Sequence, residues 1–109
     1  MNVEDVIFHI ENQTLVAKIM CEIDHHSAKR IREAIDSELF EKKPKALEIN
    51  FSSVRFMDSS GIALILGRVE SAGAVGASVH LCGLSPLHQK LVSLSGIEKI
   101  RGITISHRG

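Results

Sequence analysis

The sequence predicts an α/β fold, a mixed β-sheet with helices packed against it, in the order ββαβαβαβ. Short β-branched runs alternate with stretches whose apolar residues recur at helical spacing, and polar or glycine-bearing clusters punctuate the two. Strands that alternate with helices require crossover connections, which build a sheet covered by helices. Val6 to Ile10 and Leu15 to Cys21 read as two opening strands around the turn Glu11-Asn12-Gln13-Thr14. Ala28, Ile31, Ala34, Ile35 and Leu39 then mark a helix, with Ser27 as its expected N-cap and Lys42-Lys43-Pro44 as its end. Ala46 to Phe51 is a third strand with Leu47, Ile49 and Phe51 on one face. A second helix opens at Asp58-Ser59-Ser60-Gly61, carries Ile62, Ile65, Leu66 and Val69 as its apolar stripe, and runs to about Gly73 or Gly76. Val79 to Cys82 is a fourth strand, Pro86 to Leu94 a third helix with proline in its first turn, and Ile100 to Ile105 a last strand.

The chain of 109 residues fits one domain, 1–109, since domains typically hold roughly 100 to 200 residues. Hydrophobic residues are 44% and charged residues 24%, which suits a folded protein and excludes intrinsic disorder. With four Phe and no Trp or Tyr, the core must be aliphatic. Thirteen basic residues balance thirteen acidic ones, so no excess positive field draws in nucleic acid. The acidic start Met1-Asn2-Val3-Glu4-Asp5 lacks the basic region of a signal peptide, and no apolar run of about 18 residues could span a membrane. A cytoplasmic location is expected, with Cys21 and Cys82 as two buried thiols in a reducing compartment.

Asp58-Ser59-Ser60-Gly61 falls where a strand exit meets a helix start, the place where sheets of this kind collect functional groups. In purely structural terms Asp58 is an N-cap, Ser59 and Ser60 are first-turn residues, and Gly61 permits close packing. In functional terms a serine hydroxyl at a helix N-terminus is available to a kinase, and the resulting phosphate faces free backbone N–H groups. Local chemistry leaves both readings open, and composition does not choose between Ser59 and Ser60. Met57 and Ile62 beside them either complete the core or meet a partner.

Three segments, Glu22 to Ala28, Phe56 to Ile62 and Ile65 to Arg68, resemble the bacterial anti-sigma factor antagonists of the STAS domain family, above all the sporulation type. Leu94-Ser95-Gly96-Ile97 and Lys99-Ile100 continue the likeness, which covers nearly the whole chain. The resemblance implies a protein that binds an anti-sigma factor, itself a serine kinase, and so releases the sigma factor. It implies Ser59 as phosphoacceptor, a serine phosphatase that restores the unmodified form, and Asp24 as an acidic loop residue near the phosphoacceptor. Asp58 and Asn50 also fall on family positions. The implied partner-binding set is Asp24, Met57, Asp58, Ser59, Ser60, Gly61 and Ile62, with no cofactor, no metal and no enzymatic activity. A second function consistent with the resemblance is a STAS scaffold component of a larger signalling assembly. Sporulation-type members continue past the last strand into a C-terminal helix, where this sequence reads Ser106-His107-Arg108-Gly109, and that leaves open how Ile103 and Ile105 are packed.

Other motifs point to less. His25 and His26 are adjacent, and His9, His80, His88 and His107 show no ligand spacing, so solvated or capping roles are expected rather than a metal site. No Gly-x-Ser-x-Gly elbow supports a hydrolase, and Gly61 to Gly67 lacks the Gly-Lys-Ser/Thr ending of a phosphate-binding loop. A phospho-aspartate receiver at Asp58 lacks its acidic pair. Gly67 is expected to allow close helix packing, and Arg68 to lie solvated on the outer face of the second helix.

Overall fold

The computed structural model describes residues 4–106, so His107 lies outside the described residues. One five-stranded sheet has its strands in chain order: β1 (Val6–Glu11), β2 (Thr14–Ile19), β3 (Ala46–Asn50), β4 (Ser78–Cys82) and β5 (Ile103–Ile105). β1 and β2 are antiparallel; every later neighbour is parallel. The hairpin turn uses Asn12 and Gln13 at φ 51° and 66°, the left-handed backbone that a two-residue hairpin loop demands. Three crossovers carry the helices α1 (His25–Lys42), α2 (Ser59–Ala74) and α3 (Pro86–Ser95). Each crossover steps one strand in the same direction, and right-handed connection therefore places all three helices on one face of the sheet.

Strand alternation follows from that cover. Leu47 and Ile49, Val79 and Leu81, and Leu15, Ala17 and Ile19 turn toward the helices and are buried, while Glu48 and His80 stand half-buried on the other face. Ile31, Ile35 and Leu39 of α1 complete an aliphatic core whose largest side chain is Phe51. Each such side chain contributes about 1.5–3 kcal/mol through burial.

Three local expectations are corrected. The N-cap of α1 is Asp24, not Ser27: Asp24 Oδ1 accepts from the N–H groups of His26 and Ser27 at 2.9 Å each, and Ser27 Oγ accepts from the Asp24 N–H at 3.0 Å. A carboxylate is the stronger acceptor, so it takes the cap while the serine answers from the third helical position. The buried face of α2 is Gly61, Leu64, Ile65, Arg68 and Ala72, whereas Leu66 is 42% exposed and Ile62 and Val69 are half-buried. The last strand begins at Ile103 because Ile97–Lys99 forms a 3-10 turn and Gly102, at φ 92°, breaks the run. Ile103 is buried and Ile105 half-buried.

Candidate partner-binding site

The site is built where the chain leaves β2 and β3. Beyond the ends of both strands, Ile23 and Met57 pair as a parallel bridge, with the Ile23 N–H donating to the Phe56 carbonyl at 2.9 Å and the Asp58 N–H to the Ile23 carbonyl at 3.2 Å. Asp24 and Asp58, the next residue in each loop, cap α1 and α2 respectively. Asp58 Oδ1 accepts from the Ser60 N–H at 2.8 Å, and its carbonyl accepts from the Gly61 N–H at 2.9 Å. These bonds satisfy donors that a helix otherwise leaves unpaired in its first turn.

Ser59 and Ser60 face different surroundings. Ser59 is exposed and lies on an open groove of about 450 Å³ between α2 and α3, together with Ile62, Ala63, Leu66, Leu91 and Leu94. Ser60 is half-buried and turns into a second cleft, between α1 and α2, lined by His25, His26, Lys29 and Arg32. No hydrogen bond engages the Ser59 hydroxyl among the described residues. Successive helical positions are about 100° apart, which is why neighbouring serines serve two clefts.

Gly61 and Met57 act inside the site rather than on it. Met57 is 6% exposed and belongs to the core, the first of the two roles expected for it. A Cβ on Gly61 would collide with the Met57 side chain, and that makes glycine the residue that lets Met57 seal the loop beneath Ser59. Ile62 is half-buried, packed on the core and open to the Ser59 groove.

The Ser27 and His26 backbone N–H groups hold the Asp24 carboxylate below the ordinary carboxylate range. Asn50 sits apart from the serines, at a cleft formed by the ends of β3 and β4, where its Oδ1 accepts from the Ser52 N–H at 2.8 Å. Gly83, at φ 76°, packs so closely on Ser52 and Asn50 that any side chain there would be strained.

Arg68 is not the solvated charge expected. It is 4% exposed, and its Nε lies 2.9 Å from Asp36 Oδ1 on α1 in an ion pair too poorly aligned to be a hydrogen bond. Gly67 has open space where a Cβ would stand, so close helix packing is not its role. His88 is likewise buried, at 3% exposure, instead of solvated. Among the described residues no three His, Cys, Asp or Glu side chains converge on a point, and no helix is long and apolar enough to cross a membrane. Cys21 and Cys82 are free thiols, half-buried rather than fully buried.

Sequence reasoning missed Leu91 and Leu94, which form the far wall of the Ser59 groove, and the Arg68–Asp36 pair. The available signal for the groove was Leu94, apolar at the end of a short helix and 78% exposed. A stretch of apolar residues on both neighbouring helices is compatible with a surface meant to be covered.

A regulatory α/β domain with a capped serine pair at one loop cluster agrees with the family comparison: the model of the STAS domain matches residues 5–107, and the chain belongs to that family. The anti-sigma F factor antagonist of Lysinibacillus sphaericus is 33% identical over 88 residues, covering 81% of this chain and 75% of that protein. The solved structure of the anti-sigma factor antagonist SpoIIAA in its unphosphorylated form superposes with a TM-score of 0.70 at 28% identity, over 95% of this chain and 89% of that one. The Bacillus cell fate determinant SpoIIAA in its phosphorylated form gives 0.69 at 29% identity, over 94% and 92%. Within the family, the chain is an anti-sigma factor antagonist of the SpoIIAA type, a regulatory protein rather than an enzyme.

Proposed function

We propose that this chain releases a sigma factor by binding an anti-sigma factor that is itself a serine kinase, and that phosphorylation of Ser59 ends the binding until a serine phosphatase reverses it. The observation that carries this reading is the exposed Ser59 at the first position of α2, on the apolar groove of Ile62, Leu66, Leu91 and Leu94. Its hydroxyl and the groove offer one partner both a phosphoacceptor and a surface to cover. Support also comes from SpoIIAA, similar over nearly the whole chain and solved in phosphorylated and unphosphorylated forms.

The proposed switch works by local charge. Transfer of the γ-phosphoryl group of ATP to Ser59 Oγ releases ADP and the hydroxyl proton, and adds about −1.5 to −2 charges on a chain whose formal net charge is zero. The N-terminus of α2 tolerates the anion, favouring it by about 0.3–1 kcal/mol, so the domain stays folded. The cost falls on the partner, which must desolvate a dianion beside Asp58 and near the ionised Asp24 on docking. Asp24, Asp58, Ser60, Gly61 and Met57 shape this surface in the proposed scheme, and Ile62 contacts the partner.

Incubating the protein with candidate kinases and ATP, followed by mass spectrometry of its peptides, tests the reading. One phosphate on Ser59 is the expected result, lost in Ser59→Ala. Phosphate on Ser60 alone would move the acceptor into the other cleft and overturn the assignment.

A further inference from the structure

β1 forms one edge of the sheet and pairs with β2 alone among the described strands. An edge strand carries a row of backbone N–H and C=O groups without a ladder partner, and folded proteins ordinarily blunt such a row with proline, lysine or a bulge. β1 uses none of these devices. Val6-Ile7-Phe8-His9-Ile10-Glu11 holds no proline or lysine, keeps an unbroken register with β2, and places its one carboxylate at the very end. Ile7 and Ile10 are 46% and 50% exposed, and Phe8 is half-buried.

The hairpin decides which backbone groups face outward. The Met20 N–H donates to the Asp5 carbonyl at 2.7 Å, so Asp5 turns its polar groups toward β2. By the alternation of an antiparallel ladder Ile7, His9 and Glu11 do the same, and Val6, Phe8 and Ile10 point theirs away. A new strand bonds fully to this edge only where its own outward residues meet these three. β1 of a second copy, antiparallel across a two-fold axis at Phe8, meets that condition: Phe8 faces Phe8, and Val6 and Ile10 face each other twice. Sliding the second copy by two residues loses one of the three pairs, and sliding it by one sets outward residues against residues already bonded to β2.

The side chains fit the same register. Val6, Phe8 and Ile10 lie opposite Ile19, Ala17 and Leu15, so they share the helix-covered face, where Phe8 packs on Phe8 and Val6 on Ile10 across the axis. Ile7 meets His9 on the open face. At each end Asp5, with Arg30 Nε donating to it at 2.8 Å, stands opposite Glu11 of the other copy. Arg30 is exposed and keeps further N–H donors, so a guanidinium answers the two acids brought together there.

We propose that β1 is a self-association edge: antiparallel β1–β1 pairing centred on Phe8 joins the five-stranded sheets of two copies of this chain into one. A two-fold axis normal to that sheet keeps both sets of helices on one face and turns the two Ser59-bearing ends in opposite directions, each open to its own partner. The pairing stands independently of the kinase reading of Ser59. Its small area places it among weak, transient associations, with an expected Kd of about 10 µM to 1 mM.

Sedimentation equilibrium across that range, with amide hydrogen exchange read by NMR at its two ends, tests the proposal. The expected result is a mass that rises toward twice that of one chain, and exchange that slows at Phe8 and Ile10 as concentration increases. The Ile7 and His9 amides, bonded to β2, should stay protected throughout. Ile10→Lys charges an exposed position, and Ile10→Pro removes an N–H that β2 does not use. Each is expected to weaken association about tenfold or more, with Ile7 and His9 still protected as the sign that the hairpin is intact. A native chain that stays monomeric at about 1 mM, or a dimer whose Phe8 and Ile10 amides exchange as fast as in dilute solution, would overturn the proposal. Protection independent of concentration would do so too, since the edge is then covered within one molecule, as would association undiminished in both variants.

Discussion

Ile23 and Met57 pair one step before the N-caps of α1 and α2, and both are buried. The pairing sets Asp24 and Asp58 at equivalent steps of adjacent loops and places Ser59 immediately behind the second of them. Because this junction is tied by two backbone hydrogen bonds and sealed by core side chains, a charge written at Ser59 changes the surface more readily than the scaffold.

The first expectation concerns that charge. Ser59→Ala is expected to bind the anti-sigma factor as the native chain does, while Ser59→Asp binds at least about tenfold more weakly. The melting temperature of Ser59→Asp should move by less than about 4 °C, since an acid at the first turn changes stability by less than about 1 kcal/mol. Calorimetric titration and scanning calorimetry measure the two effects separately. Equal binding by both variants would remove charge at this position as the switch.

Asp24 links stability to pH. Its folded pKa lies below the ordinary value of 3.8, chiefly through the Ser27 N–H and then the His26 N–H. A depressed carboxylate contributes stability that is fully present above the unfolded value and is lost as pH falls through the folded one. Urea midpoints of the native chain should therefore drop as pH falls below 3.8, and Asp24→Asn should flatten that part of the profile while keeping an acceptor at the cap. An unchanged slope in the variant would assign the acid sensitivity to other carboxylates.

Gly61 and Met57 should couple. Gly61→Ala drives a methyl group into the Met57 side chain and is expected to cost about 1–3 kcal/mol. Met57→Ala empties a core position at about 2–5 kcal/mol. The double variant should cost less than the sum by about 1 kcal/mol or more, because the new methyl then enters vacated space. Strict additivity in denaturant unfolding would contradict the contact.

The thiols should be slow. Burial, followed by Asp5 for Cys21 and Glu48 for Cys82, pushes each pKa up to about 11. Both are then protonated at neutral pH, and the thiolate is the reactive species. Alkylation of the folded chain at neutral pH is expected to be several-fold slower than in denaturant; rapid labelling of either cysteine while folded would overturn this.

Much of the fold was legible because β3 and β4 alternate cleanly and Pro86, Lys43-Pro44 and Asn12-Gln13 are strong local punctuation. The rotation of α2 was not legible. Ile62, Ala63, Leu64, Ile65 and Leu66 run without a polar break, so spacing alone fits more than one inward face, and the true one sends Arg68 inside because Asp36 waits there to pair with it. The Asp24 cap was hidden by a neighbouring Ser27 with equal credentials, since only the backbone direction decides which of the two precedes the helix. The serine pair itself stood out as a motif, but its division between two grooves depends on helices α1 and α3, far away in the chain.

The parallel strands also separate the two ends of the molecule. The Asn12–Gln13 turn precedes β2, at the edge where β3 and β4 also begin, whereas Ser59 follows their exits, a strand length of about 17 Å away. A tether or fluorescent tag attached at that turn leaves the serine-bearing end facing open solvent, so the protein can be anchored to a sensor chip and the arrival and departure of its partner timed directly.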